Sequence, residues 1–101
     1  MEESVLTFVS GALLFNAIPH LVRGICGDRH MTPFSRTSSA VTNVIWAWVN
    51  IVIGGWLLMS ATAVDLAAKE VACFAAGGFV LSLFLAWFWS NPEARLPWHK
   101  Q

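Results

Sequence analysis

Residues 5–22 read VLTFVSGALLFNAIPHLV, an apolar run interrupted by Asn16, Pro19 and His20 and closed by Arg23. How this run is read decides the fold. Roughly 20 mostly apolar residues, rising about 1.5 Å each, cross a hydrocarbon core of about 30 Å. A secretory signal would carry a basic n-region and a small-residue cleavage pattern. Here the run follows Glu2 and Glu3 with no basic residue, and no A-x-A-like pattern precedes the polar stretch. The expectation is a retained membrane helix.

The rest of the chain supports that reading. Its 101 residues allow one domain, 1–101, and 56% of them are hydrophobic. Only 12% are charged, about half the share of an ordinary soluble domain, roughly 25%. Six cationic and six anionic side chains cancel, which leaves no electrostatic case for nucleic acid. The apolar residues fall in long blocks, so the class is an all-α integral membrane protein with three transmembrane helices. The expected boundaries are helix 1 at about 5–23, an interfacial loop at 24–40 and helix 2 at about 41–61. A turn at 62–66, helix 3 at about 67–89 and a tail at 90–101 follow. Helices 2 and 3 should form an antiparallel hairpin. Thr37, Ser38 and Ser39 are candidate N-caps for helix 2, and Thr62 with Asp65 resembles a capping box for helix 3. Asn91-Pro92 stops helix 3, because proline disfavours helix in the residue before it.

Charge tests the span count independently. With three spans, Arg23, Arg29, Arg36, Arg95 and Lys100 share one side, while Lys69 stays opposite with Glu2, Glu3, Asp65 and Glu70. The positive-inside rule then implies an N-terminus outside and a C-terminus in the cytoplasm. Trp46, Trp48, Trp87 and Trp89 fall near that cytoplasmic boundary, with Trp98 in the tail. An anchoring belt accounts for them, and a stacking platform is the alternative. Cys26 and Cys73 lie at opposite depths in this topology, which disfavours a disulfide between them.

Polar groups inside apolar spans are costly unless partnered, so they are the informative exceptions. Asn16 and His20 stand i, i+4 on one helix face, and Asn43 and Asn50 stand i, i+7 on another. Counted from the helix ends, His20 and Asn43 share a level, with Asn16 and Asn50 deeper and Ser82 near Asn16. Pro19 frees the carbonyl of Phe15, for which an Asn side chain or water is a candidate donor. Together these residues make a polar seam, which serves either as interhelical hydrogen bonding or as a ligand or ion site. Pro33 and Phe34 of MTPF (31–34) are placed to fold back over it, with Met31 and Phe34 as apolar anchors. Small-residue pairs at Asn50/Gly54, Ile51/Gly55 and Cys73/Gly77, and the Ala68, Ala72, Ala76 series, permit close helix contact.

CGDRH (26–30) presents Cys26, Asp28 and His30 near His20, but the spacing fits no established metal pattern and Arg29 opposes a cation. No metal or cofactor site is assigned. Haem has no attachment motif here. Ser35, Ser38, Ser39 and Cys26 lack a base and orienter, so no catalytic residue is assigned and an enzyme is disfavoured. No acidic residue sits deep in a span, unlike the small multidrug exporters, which have four spans and an embedded Glu.

Residues 16–50, with NAIPH, Gly24, Gly27, Pro33-Phe34 and NVIWAWVN, resemble a group of small bacterial multi-span membrane proteins. That group has N-x-[IV]-P-H at the end of its first span, then G-x-x-G, P-F and S-S…N-V-x-W-x-x-x-N. The resemblance implies shared roles for Asn16, Pro19, His20, Gly24, Gly27, Pro33, Phe34, Asn43, Trp46 and Asn50. It brings no activity with it. The group often has a Gly/Pro-rich stretch after P-F, where this chain has SRTSSA. Two functions fit the sequence. One is a self-associating interaction or accessory subunit, a homo-oligomer or part of a larger complex in the lipid bilayer. The other is an oligomeric binding or transport unit for a small ligand or ion, using the seam around His20.

Overall fold

The computed structural model describes residues 2–61, 68–93 and 96–98. Three helices, α1 (Glu2–Ile25), α2 (Ala40–Ala61) and α3 (Ala68–Trp89), are each long and apolar enough to cross a membrane. Within the interfacial loop expected at 24–40, the chain forms a small antiparallel ribbon of β1 (His30–Thr32) and β2 (Ser35–Ser38). The turn expected at 62–66, with Thr62 and Asp65, lies outside the described residues.

The helix ends follow from local chemistry. Gly27 takes a φ of 81°, a left-handed conformation that only a residue without Cβ adopts freely. The Asp28 N–H then donates to the Arg23 carbonyl and the Gly27 N–H to the Gly24 carbonyl, a Schellman termination. At the start of α2 the Ser39 hydroxyl accepts the Thr42 N–H at 3.1 Å, so Ser39 is the N-cap among the three candidates. Pro19 lies within α1 without ending it.

Helix α1 occupies the centre. Both α2 and α3 pack on it, and among the described residues no comparable interface joins α2 to α3. Helices 2 and 3, expected as an antiparallel hairpin, each pack on α1 through separate interfaces. The reason lies in where the glycines fall. A Cβ on Gly77 would strike the Phe8 carbonyl, and one on Gly11 the Phe74 carbonyl, so α1 and α3 touch backbone to backbone. Gly54 receives Leu13 and Leu14 of α1, and Gly24 sits against the Ala40 carbonyl. Gly55 has no neighbour within 4 Å, and Ala68, Ala72 and Ala76 are exposed. The small-residue spacings therefore divide. Those at Gly54 and Gly77 mark contacts within the chain; the others face outward.

The interior consists of small and polar side chains. Thr7, Ser10, Gly11, Ala17, His20 and Gly24 of α1 are buried, whereas Val5, Val22, Val52, Trp56, Phe79 and Leu83 are exposed. Burying large apolar groups gains little in lipid, so close backbone contact and hydrogen bonds join the helices instead.

Candidate functional site

Helices α1 and α2 run antiparallel, and their polar residues meet in register. The Ser10 hydroxyl donates to the Gly54 carbonyl at 2.8 Å, Asn16 Nδ2 donates to Asn50 Oδ1 at 3.2 Å, and His20 Nδ1 lies 2.7 Å from Asn43 Oδ1. Asn43 is fully buried and anchors the ribbon. Its Nδ2 reaches the carbonyls of His30 at 2.9 Å, Ser39 at 3.0 Å and Ser38 at 3.2 Å. Asn50 Nδ2 donates to the Trp46 carbonyl of its own helix at 2.9 Å.

β1 covers this end of the bundle. His30, Met31 and Thr32 are all buried. The Thr32 and Ser38 hydroxyls bond at 2.6 Å across the ribbon, and the Phe34 N–H donates to Thr32 Oγ1. The tail beyond α3 lies over the ribbon, with Trp98 Nε1 donating to the Pro33 carbonyl at 2.7 Å and Arg36 to the Pro92 carbonyl at 3.1 Å. The His30 ring is tilted against its neighbours, its centroid 4.4 Å from that of Trp89 and 5.2 Å from that of His20. Burial first, then electrostatic coupling to His20 and the Arg23 guanidinium, lowers its pKa from 6.5 to about 4. Its Nε2 is buried with no hydrogen-bond partner among the described residues.

A cleft of about 160 Å³ opens beside the seam. Its polar corner is Asn16 and His20; Pro19, Trp46, Phe84, Phe88 and Trp89 form its walls, with Met31–Pro33 and Leu96 at the rim. Of the four tryptophans expected as boundary anchors or, alternatively, as a stacking platform, Trp46 and Trp89 line this cleft, while Trp48 and Trp87 face outward.

The sequence-derived residues separate clearly. Asn16, His20, Asn43 and Asn50 come together. Pro33 borders the cleft, but Phe34 is 69% exposed and touches Trp46 edge-on at 5.4 Å. The apolar cover comes from Met31 instead. Ser82 stays out of the seam, its hydroxyl bonded to the Gly78 carbonyl one turn back. The asparagine amides are engaged with other partners rather than with the Phe15 carbonyl. Cys26 and Cys73 are both free. Sequence reasoning missed Ser10 and Thr32, and weighed Ser38 only as an N-cap or nucleophile and His30 only as a metal ligand. Ser10 could have been found, because it shares the small, polar face of α1 with Thr7, Ala17 and His20. Among the described residues no group of three or more His, Cys, Asp or Glu side chains could hold a metal ion.

No protein-family model, curated protein or solved structure matches this chain.

Proposed function

We propose that the chain is a membrane binding unit for a small, largely apolar molecule, held in the cleft at the ribbon end of the bundle. One observation carries this reading: Asn16 and His20 line a cavity while the seam behind them is satisfied internally. An apolar cavity of about 150 Å³ accepts benzene, so the space suits a single ring or a short acyl segment. We read the orientation from charge, with ribbon and tail on the cytoplasmic side and the N-terminus outside, and the bacterial inner membrane from the resemblance of residues 16–50.

The test uses toluene as probe, with the protein in phosphatidylcholine nanodiscs. Toluene should shift the indole resonances of Trp46 and Trp89 and leave Trp56 unmoved. Leu85 also lines the cleft, and Leu85→Phe, which narrows it, should weaken that response. Equal shifts at all three indoles would count as unspecific partitioning and overturn the reading.

A second reading rests on the exposed Ala68, Ala72 and Ala76 face of α3, which suits self-association into a homo-oligomer or docking within a larger complex. The two readings part at His20→Ala. Loss of probe binding with the assembly intact favours the binding unit; loss of assembly alone favours the accessory subunit.

A further inference from the structure

We infer that the cleft selects a neutral hydrogen-bond donor, a hydroxyl carried on an apolar ring, over acceptor-only and cationic molecules. The inference deepens the binding reading above and rests on it. It comes from following two hydrogen-bond relays from the backbone outward.

In the first relay, Asn43 Nδ2 lies within 3.2 Å of three backbone carbonyls, those of His30, Ser38 and Ser39. Carbonyls only accept, so the amide nitrogen must face them and Oδ1 must face His20. Oδ1 in turn only accepts, so the proton of the 2.7 Å bond sits on His20 Nδ1. A neutral imidazole with Nδ1–H has a lone pair on Nε2. The atom of His20 left to meet a guest is therefore an acceptor.

The second relay has the same polarity. Asn50 Nδ2 donates to the Trp46 carbonyl, which turns Asn50 Oδ1 toward Asn16. Asn16 Nδ2 donates to that oxygen, and Asn16 Oδ1 is left over. Both relays start at backbone carbonyls. The first ends in an acceptor on His20, while the second leaves Asn16 with its Oδ1 beside a second N–H, so the donor preference rests on His20. Asn16 keeps one further N–H; the Thr32 hydroxyl is engaged within the ribbon.

Charge narrows the class further. Among the described residues no carboxylate lines the cleft to offset a cation, and Arg23 lies close enough to act on His30. A carboxylate guest would set its own lone pairs against those of His20 and Asn16. A hydroxyl donates one hydrogen bond and brings no charge, while its ring packs against Trp46, Phe84, Phe88 and Trp89.

Phenol and toluene separate this inference from the binding reading, because they match in size and differ in the donor. Protein labelled with ¹⁵N-histidine in phosphatidylcholine nanodiscs should show His20 as the Nδ1–H tautomer before any probe is added. Phenol should shift the His20 Nε2 resonance together with the Trp89 indole, whereas toluene should shift only the indole. At equal concentration in the membrane, phenol should bind several-fold more tightly, up to about tenfold for one net hydrogen bond. If both probes occupy the cleft equally and Nε2 does not respond, or if the free protein carries its proton on Nε2, the donor selectivity is overturned while the cleft reading survives. If neither probe reaches the Trp89 indole, both fall.

Discussion

Asn43 shows how much one side chain organises here. It joins α1 through His20, caps its own helix start through Ser39 and holds the ribbon through His30 and Ser38. A typical side-chain hydrogen bond between membrane helices contributes about 0.6 kcal/mol, so its weight comes from bonding several elements at once. His30 carries the pH dependence of this end. Its docked pKa is about 4 against an ordinary 6.5, so between those values the undocked ribbon takes up a proton that the docked one refuses. Docking is complete above about pH 6.5 and weakens as pH falls toward 4. Amide hydrogen exchange over residues 29–38 should therefore quicken across that window, and His30→Phe should flatten the profile. An unchanged profile in His30→Phe would assign the effect to other groups. The pairing of His20 with Asn43 and Asn16 with Asn50 was legible in sequence, since helical period and depth together leave few ways to satisfy buried amides. The role of His30 was not, because its burial depends on a ribbon that a three-residue strand and SRTS do not announce.

Among the helices, glycine position decides which faces meet. Gly77→Ala would drive a methyl into the Phe8 carbonyl, a backbone atom that cannot turn aside. The cost should be about 1–3 kcal/mol, read as a lower unfolding midpoint in mild detergent. Gly55→Ala meets nothing within 4 Å and should be neutral or slightly stabilising, since alanine is the better helix former by about 1 kcal/mol. Similar changes for both would mean that the contact at Gly77 does not set its cost. The sequence marked both positions with one spacing and could not rank them, because small residues occur on several faces of α2 and α3. That ambiguity also hid the central place of α1.

For the molecule as a whole, the ribbon and tail share one end, as the Trp98–Pro33 and Arg36–Pro92 bonds require. An odd number of crossings separates that end from the start of α1. In Cys73→Ser protein, a membrane-impermeant maleimide should label the exposed Cys26 only from the cytoplasmic side. Labelling only from the opposite face would invert the proposed orientation. Span number was readable from apolar blocks and basic residues. The cleft was not, since it needs Trp46, Trp89, Leu96 and the ribbon to converge from distant parts of the chain.

The central position of α1 also bears on how the protein is made. This helix leaves the ribosome before α2 and α3, yet its polar face is completed by residues synthesised later: Asn43 for His20, Asn50 for Asn16, and the Gly54 carbonyl for Ser10. Its backbone contacts with Phe74 and Gly77 come later still. Insertion and assembly are therefore separate events in time. The first helix enters the bilayer with unmet hydrogen-bonding groups and depends on the insertion machinery, or on water at the membrane surface, until its successors arrive.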